Sequence, residues 1–555
     1  MLKCSKRDCI RERPLMLRDG LRGMCRRLVA LSIGLCWVCL AVHAQTTALP
    51  LASSQTESQQ SYSAGLGLVR EGRLDAAIQT FEKGLSSAPR NVALLNVIGA
   101  TYSLQGHFEE AEKYFLKSLQ IDPEFFPARK NLAITYFDSG QYELAIPEFQ
   151  KLADGPTDSR PVAYLFLGML AEKHKEYGKA SAFLEKSGEI LYQYPQALIA
   201  FAHCLYELHQ VPRADTVLSR LETFRALAAS DYFSAGLLYS QHGQDERAWA
   251  NFEKASKAQP ELPGLAYQRA IVLNRLGRSL EALNILADLT RTKPDADSLN
   301  LLAHVAEKNG ELKLAIQSLR QAAQLDPARQ DNYLDFSTLC LDYENYPVAL
   351  EAVDVGLEHV PNSYPLLVQR GVVLERLGRI DEAEEVLRKA SQLQQDNSVA
   401  LLSLAIIQTH AGRLQDARSL LSASLGKFPN NYYMHYQLGV VLVQIQGPEE
   451  ISEEIERKAE QAFEETIRLK PSFADSYYQL SKLYSRKDFQ KAEENLLTCL
   501  RLDPRHASAE YSLSRLYLKA GRRTEARELM ARFESHQEAE KIKERERPRI
   551  EAAQK

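Results

Sequence analysis

An alanine recurs along most of the chain at a nearly constant interval of 33 to 35 residues. The fourteen positions are Ala77, Ala111, Ala145, Ala180, Ala214, Ala248, Ala282, Ala315, Ala349, Ala383, Ala417, Ala459, Ala492 and Ala526. One longer interval, of 42 residues, separates Ala417 from Ala459. A period of this length indicates an array of small units, each of which must stack on its neighbours to bury an apolar face.

Other positions keep the same phase. Four residues after each alanine lies a large apolar residue: Phe81, Phe115, Phe149, Leu184, Leu218, Phe252, Leu286, Leu319, Val353, Leu387, Leu421, Phe463, Leu496 and Met530. A small residue such as Gly65 precedes the alanine by about twelve positions, and proline follows it by twelve in nine units. This spacing predicts two antiparallel helices per unit. The small residues let the helices approach, the large residue fills the gap to the next unit, and proline ends the second helix.

The pattern resembles the tetratricopeptide repeat from about residue 58 to 540. The unit from Ala229 to Pro260 carries the family's residues at Gly236, Tyr239, Ala248, Phe252, Ala255 and Pro260. The unit around Gly168 and Ala180 lacks its proline, and the unit from Tyr432 to Pro471 has about eight extra residues. The resemblance implies an all-α fold, a right-handed superhelix (α-solenoid) of about fourteen helix-turn-helix repeats over residues 58–535.

The first 44 residues differ from the rest in charge, with nine Lys and Arg against three acidic residues. Arg26 and Arg27 precede an uncharged apolar run from Leu28 to Val42, which is followed by His43 and Ala44. This layout predicts a secretory signal peptide (1–44) that is cleaved after Ala44. The run is short for a helix that spans a bilayer, although an uncleaved membrane anchor is the alternative. Translation could also start at Met16 or Met24.

Removal of this leader would change the picture given by composition. The formal net charge of the whole chain is −4, and the residues after Ala44 hold 59 basic against 69 acidic side chains, a net charge of −10. Of eight cysteines, only Cys204, Cys340 and Cys499 remain. We expect these three to be buried small hydrophobic side chains rather than a disulfide framework. The expected location is exported, in the periplasm or secreted, with a bacterial envelope favoured.

Three segments lie outside the repeat pattern. Residues 45–57 are polar and predict a flexible linker, and an acidic insertion occurs near 447–456. Residues 536–555 are heavily charged and predict a capping helix and tail, because the ends of repeat arrays need a polar face.

The sequence predicts no enzyme, no cofactor and no metal site. No phosphate-binding loop, zinc-protease motif or nucleophile elbow occurs, and Gly65-Leu66-Gly67 fails as a dinucleotide motif because Arg70 stands where the third glycine belongs. His203 and His304 each lack a second histidine at ligand spacing. The acidic balance gives no reason to expect a nucleic-acid binder, whose usual mark is a basic face, and no membrane span is expected after signal cleavage.

The family resemblance implies a concave groove lined by the first helix of each repeat, with its second, fifth, ninth and twelfth positions facing inward. Mapped onto this chain, these candidate partner-binding positions include Asn96, Lys130, His203, Tyr206, Phe233, Tyr267, Asn274, Asn300, His304, Tyr436, Tyr478 and Tyr511, with Asn131 adjacent to Lys130. Aromatic, amide and imidazole side chains suit an extended peptide, although the tyrosines could instead pack between repeats. Lys130 and Asn131 only hint at the family's clamp for a C-terminal carboxylate, because the next unit lacks a matching Lys and Arg.

These observations predict a non-enzymatic scaffold or adaptor of the cell envelope that binds peptide segments of other proteins. One alternative is a periplasmic scaffold of polysaccharide or protein secretion that contacts glycan. Another is a regulatory subunit of a partner enzyme. Within the groove, we expect Phe233 and Tyr267 to contribute to binding with little effect on stability.

Overall fold

A computed structural model describes residues 53–225, 227–446 and 452–545. The predicted signal peptide (1–44), most of the predicted linker, residues 447–451 of the acidic insertion and the last ten residues lie outside this range. The chain divides into two compact units after Leu265.

The described residues form 28 helices, two for each of the fourteen phased alanines, which confirms the predicted all-α repeat fold. In chain order they are α1 (Ser53–Arg70), α2 (Leu74–Ser87), α3 (Val92–Leu104), α4 (Phe108–Ile121), α5 (Phe126–Asp138), α6 (Tyr142–Asp154), α7 (Arg160–Lys173), α8 (Tyr177–Lys186), α9 (Pro195–Glu207), α10 (Val211–Ser219), α11 (Ala229–Gln241), α12 (Asp245–Ala258), α13 (Leu265–Arg275), α14 (Ser279–Thr292), α15 (Ala296–Lys308), α16 (Leu312–Leu325), α17 (Gln330–Asp342), α18 (Tyr346–His359), α19 (Tyr364–Arg376), α20 (Ile380–Leu393), α21 (Val399–His410), α22 (Leu414–Lys427), α23 (Tyr432–Gln446), α24 (Glu453–Leu469), α25 (Ala474–Tyr484), α26 (Phe489–Leu502), α27 (Ala507–Lys519) and α28 (Arg523–Arg545). Odd-numbered helices are the first, and even-numbered helices the second, of repeats 1 to 14.

The phased residues meet inside each repeat. All fourteen alanines are at most 1% exposed. A Cβ atom added to Gly65 of α1 would lie 2.2 Å from the ring of Phe81 on α2, and one added to Gly236 of α11 would lie 2.5 Å from the ring of Phe252 on α12. The large residue therefore occupies the space that the glycine leaves open within its own repeat, as well as contacting the next one.

Successive repeats are joined by apolar contacts and by the polar caps of their first helices. The ring of Phe149 in repeat 3 stacks on that of Phe166 in repeat 4, with 4.9 Å between centroids. Asn91 caps α3 by accepting from the backbone N–H of residues 93 and 94, while its Nδ2 donates to Ser58 Oγ of repeat 1 at 3.1 Å. Asn431 repeats this arrangement with Ser398, at 2.9 Å. One side chain thus both starts a helix and holds it beside the preceding repeat.

Repeats 4 and 5 depart from the regular geometry. Their second helices α8 and α10 have 10 and 9 residues, whereas α2, α4 and α12 have 14. Short 3₁₀ helices follow them, at Gly188–Gln193 and Arg220–Thr223. Both repeats are among the five that lack a proline twelve residues after the phased alanine.

The ends of the array differ from the predicted boundaries. Helix α1 begins at Ser53, so residues 53–57 of the predicted flexible linker are helical. The predicted capping helix after residue 535 is a continuation of α28, which runs without a break to Arg545. Glu510 of α27 is fully buried and contacts Arg532 at 3.2 Å and His536 at 2.9 Å, so two side chains of α28 hold the extension against the last repeat.

The acidic insertion leads into α24, which is 17 residues long and carries three glutamates in its first turn. Carboxylates are favourable at this end of a helix. Glu456 is buried and pairs with Lys487 of the next repeat, whereas Glu453 is exposed.

Cys204, Cys340 and Cys499 are buried free thiols, as predicted. Burial raises the pKa of Cys204 and of Cys340 to about 12, so both thiols remain protonated and unreactive at neutral pH. Within the part of the chain that the structure describes, no helix combines the length and apolar character needed to cross a membrane.

Two glycines of α1 provide a matched test of the packing. We expect Gly65→Ala to lower the free energy of unfolding by about 1–3 kcal/mol, because the ring of Phe81 must move. Gly67→Ala, with nothing within 4 Å of its added Cβ, should instead raise it by about 0.5–1 kcal/mol through helix propensity. Urea titrations of both variants measure the difference. Wild-type stability in Gly65→Ala would contradict the packing scheme.

Candidate functional site

The candidate site is the first-helix surface, meaning the predicted inward side chains at the second, fifth, ninth and twelfth positions of the first helix of each repeat, counted in the phase of the repeat, together with Asn131 beside them. The thirteen predicted residues belong to this surface, six of them in the first compact unit and seven in the second. The two units are therefore described separately.

In the first unit, α3 and α5 bring three predicted residues together. Asn131 Nδ2 donates to Asn96 Oδ1 at 2.9 Å, and Asn96 is buried beneath it. Lys130 is partly buried on the same turn as Asn131, and burial lowers the pKa of its ammonium group. The two side-chain amides are thus joined by one hydrogen bond, which fixes their orientation.

His203 of α9 lies between two carboxylates. Its Nδ1 is 2.6 Å from Glu172 Oε1 of the preceding repeat, and its Nε2 is 3.8 Å from Glu207. The edge of the ring meets Tyr177, with 5.4 Å between ring centroids. No group of three or more metal-binding side chains occurs in the described part of the chain, so we assign His203 to a hydrogen-bonded pair between repeats.

Tyr206 is 1% exposed and does not present a surface to a ligand, which corrects the prediction for this residue. Its hydroxyl donates to Asp215 Oδ1 at 2.6 Å, and its ring stacks on His242 at 4.0 Å between centroids. Burial and the acceptor Asp215 both raise the pKa of this phenol. The position of Tyr206 in the repeat predicts the direction of its side chain, but it does not predict that Asp215 of the second helix α10 covers the side chain.

Phe233 of α11 is also buried, at 8% exposure, with its ring centroid 5.7 Å from that of Phe252. For Tyr206 and Phe233 the packing alternative therefore holds.

In the second unit, Lys308 connects predicted residues of repeats 7 and 8. Its Nζ donates to the carbonyl oxygen of Asn274 at 3.2 Å and to Asn274 Oδ1 at 3.1 Å. Burial, and then the charge of Lys308, lower the pKa of His304 one turn earlier on α15. Asn300 Nδ2 donates to Asn332 Oδ1 at 2.8 Å, whereas the buried Asn300 Oδ1 has no hydrogen-bond partner among the described residues. Tyr267 is partly buried on α13.

The last three first helices each carry a tyrosine at their fifth position. Tyr436 of α23 is partly exposed, with its ring 5.0 Å from Phe473 and 5.6 Å from Tyr433 between centroids. Burial raises the pKa of Tyr436 to about 12, so it remains an uncharged hydrogen-bond donor.

Tyr478 and Tyr511 continue the series. The ring of Tyr478 lies 4.9 Å from His506, and that of Tyr511 lies 5.4 Å from Phe533. Tyr511 is 38% exposed, which makes it the most accessible of the predicted aromatic residues. We name Tyr436, Tyr478 and Tyr511 the tyrosine series.

Repeats 9 to 11 carry an apolar stripe on their first helices. The prediction did not include it, because only aromatic and polar residues were considered as candidates. Its members occupy the fifth and ninth positions of α17, α19 and α21 and are all partly exposed: Leu334, Val368, Val372, Leu402 and Ile406. The same phase that selected the tyrosines would have found them. Together with the tyrosine series they give the first helices of the second unit a set of apolar and aromatic side chains that are at least partly exposed.

Burial distinguishes packing from surface residues in a way that can be measured. We expect Phe233→Ala to lower the free energy of unfolding by about 3 kcal/mol, because it leaves a cavity against Phe252. Tyr511→Ala should cost about 1 kcal/mol or less, since its ring is well exposed. Urea titration followed by circular dichroism tests both, and wild-type stability of Phe233→Ala would return this residue to the binding candidates.

Family models described as tetratricopeptide repeat match residues 92–125, 267–329, 374–439 and 479–539. The TPR repeat-containing protein YpiA of Bacillus subtilis is 24% identical over 279 residues, which are 49% of this chain and 64% of YpiA. Human protein O-mannosyl-transferase TMTC1 is 26% identical over 201 residues, which are 35% of this chain and 23% of TMTC1. The matched region thus spans less than two thirds of each of these relatives.

The crystal structure of yeast Tom70 matches 89% of this chain and 97% of its own, with 15% identity and a TM-score of 0.38. The family matches lie in both compact units and coincide with the helix pairs that the alanine period marks. Four segments of this helix array are therefore similar to the tetratricopeptide repeat.

Proposed function

We propose that this protein is an exported, non-enzymatic scaffold that binds peptide segments of partner proteins on its first-helix surface. The observation that carries the proposal is the tyrosine series, in which three successive repeats present a partly exposed ring at the same helical position. Tetratricopeptide repeats generally mediate protein–protein interactions, which supports this reading.

The geometry of the tyrosine series suits an extended chain. Each ring is held by an aromatic or histidine neighbour, so little side-chain entropy remains to be lost when a ligand binds. Rings supply a large apolar contact area, and their hydroxyl groups can bond to a peptide backbone. The apolar stripe of repeats 9 to 11 adds surface that could accept aliphatic side chains.

The proposal of a non-enzymatic role rests on the repeats themselves. Repeat proteins of this family are in general scaffolds, although TMTC1, which shares part of this array, is a transferase by name. The matched segment is 23% of TMTC1, so it accounts for a minor part of that protein.

Export is proposed from the leader alone. The support is the order and length of its parts, which are those of a signal peptide: Arg26 and Arg27, the apolar run that follows them and the Val42-His43-Ala44 site. An exported location agrees with a mature region whose three cysteines are buried and unpaired, because such thiols need no reducing environment to stay inert.

Site-specific photo-crosslinking tests partner binding. A benzoylphenylalanine at position 511 should give adducts with specific partner proteins in living cells, and Tyr478→Ala in the same chain should reduce their yield about tenfold, as for a hot-spot aromatic residue. The control places the crosslinker at Leu497, which is 48% exposed on the second helix α26. Identical adducts from positions 511 and 497, or adducts with polysaccharide instead of protein, would contradict the proposal.

Cleavage of the leader has a direct readout. Protein purified from the envelope fraction of its own host should begin at Gln45, which N-terminal sequencing and intact mass both report. An uncleaved chain recovered from the cytosol would overturn the proposed location and leave peptide binding to be judged by the crosslinking result.

A further inference from the structure

A second candidate site lies away from the first-helix surface, between the second helices of repeats 4 and 5. It is an open pocket of about 500 Å³, which is within the range that ligand pockets occupy. Its walls come from α8, from the 3₁₀ helix Gly188–Gln193, from Phe201 of α9 and from α10, all in the first compact unit. None of the thirteen predicted residues contributes to it.

The pocket exists because repeat 4 departs from the repeat pattern. Tyr192 stands twelve residues after Ala180, at the position where nine other repeats have proline. Helix α8 ends early at Lys186, and the chain continues as a 3₁₀ helix that carries Tyr192 to the pocket wall. The shortened α10 of repeat 5 also lines the pocket.

The 3₁₀ geometry pairs an aromatic ring with a carboxylate. Because this helix has three residues per turn, side chains three positions apart lie above one another on one face. Glu189 and Tyr192 have this spacing, and both line the pocket. Tyr192 is 41% exposed, so its ring is accessible although it belongs to an ordered element.

The charges around the pocket leave one carboxylate uncompensated. Arg213 forms an ion pair with Glu185 across the pocket and also donates to Gln210 Oε1 at 2.5 Å. Among the described residues, Glu189 has no ion-pair partner.

The guanidinium of Arg220 lies 5.3 Å from the centroid of Tyr192, but Arg220 is not part of the pocket wall. The ring therefore already interacts with one cation, and its exposed part lines the pocket together with Glu189.

We propose that this pocket binds an arginine side chain of an extended peptide segment. A guanidinium group is planar, so it can stack on Tyr192 while its N–H groups donate to the Glu189 carboxylate. The remaining volume accommodates neighbouring residues of the peptide against Phe201 and Val217. This interaction is independent of the tyrosine series, because no residue is shared between the two surfaces.

Two immobilised heptapeptide libraries test the proposal. One fixes arginine at the centre with random flanking residues, and the other fixes citrulline, a neutral isostere. Labelled full-length protein should bind the arginine library about tenfold more strongly. Glu189→Gln and Tyr192→Ala should each abolish this preference, whereas Tyr192→Phe should retain it because the ring remains. Thermal melting checks that each variant is folded.

Glu246→Gln is the matched control, since it removes an exposed carboxylate of α12 outside the pocket. It should leave the preference for arginine unchanged, as should Tyr478→Ala. Loss of the preference in Glu246→Gln would assign it to general attraction by an acidic protein and overturn the site. A preference that survives in folded Tyr192→Ala, or that disappears in Tyr478→Ala, would overturn it as well.

Discussion

The close approach of the two helices inside each repeat is the contact on which the rest of this molecule depends. At Gly65 and Phe81 a hydrogen atom faces a ring at a distance that a methyl group could not occupy. Phe81 and Ala77 are fully buried. A single helix pair is too small to bury its apolar faces alone, so it must stack on a neighbouring repeat. The same contact recurs at Gly99, Gly168, Gly236, Gly371 and Gly439, and it sets how closely the two helices of these repeats pack.

Polar contacts between repeats specify how adjacent repeats are placed against each other. Asn91 and Asn431 each cap a helix and bond to the preceding repeat. Glu384 is 3% exposed and receives Arg388 at 2.6 Å and Arg413 of the next repeat at 2.7 Å. A buried carboxylate that loses such partners is strongly destabilising, so these bridges favour one relative placement of adjacent repeats over others.

The period in the sequence was sufficient to predict the helix pairs, because each phased residue acts through contacts within about one repeat length. The period was insufficient to predict how deeply each side chain is buried. Tyr206 and Tyr511 both occupy inward positions of a first helix, yet Asp215 and His242 cover Tyr206 and leave it 1% exposed, whereas Tyr511 is 38% exposed. Which neighbour covers a side chain depends on residues of the same and of the next repeat that have no fixed phase. The pocket at Tyr192 could not be predicted for a related reason. The missing proline indicated an irregular repeat, but the sequence did not indicate that a 3₁₀ helix would form there and line a pocket.

The contacts among helices within each compact unit join neighbours, or next neighbours, along the chain. Such a topology has low contact order, so little chain entropy is lost before a native contact is gained. The buried free thiols add no covalent step to this process. During synthesis or transport, each repeat can therefore dock on the one before it as soon as its own two helices are available. The amino-terminal repeats of a unit would serve as the template on which later ones fold.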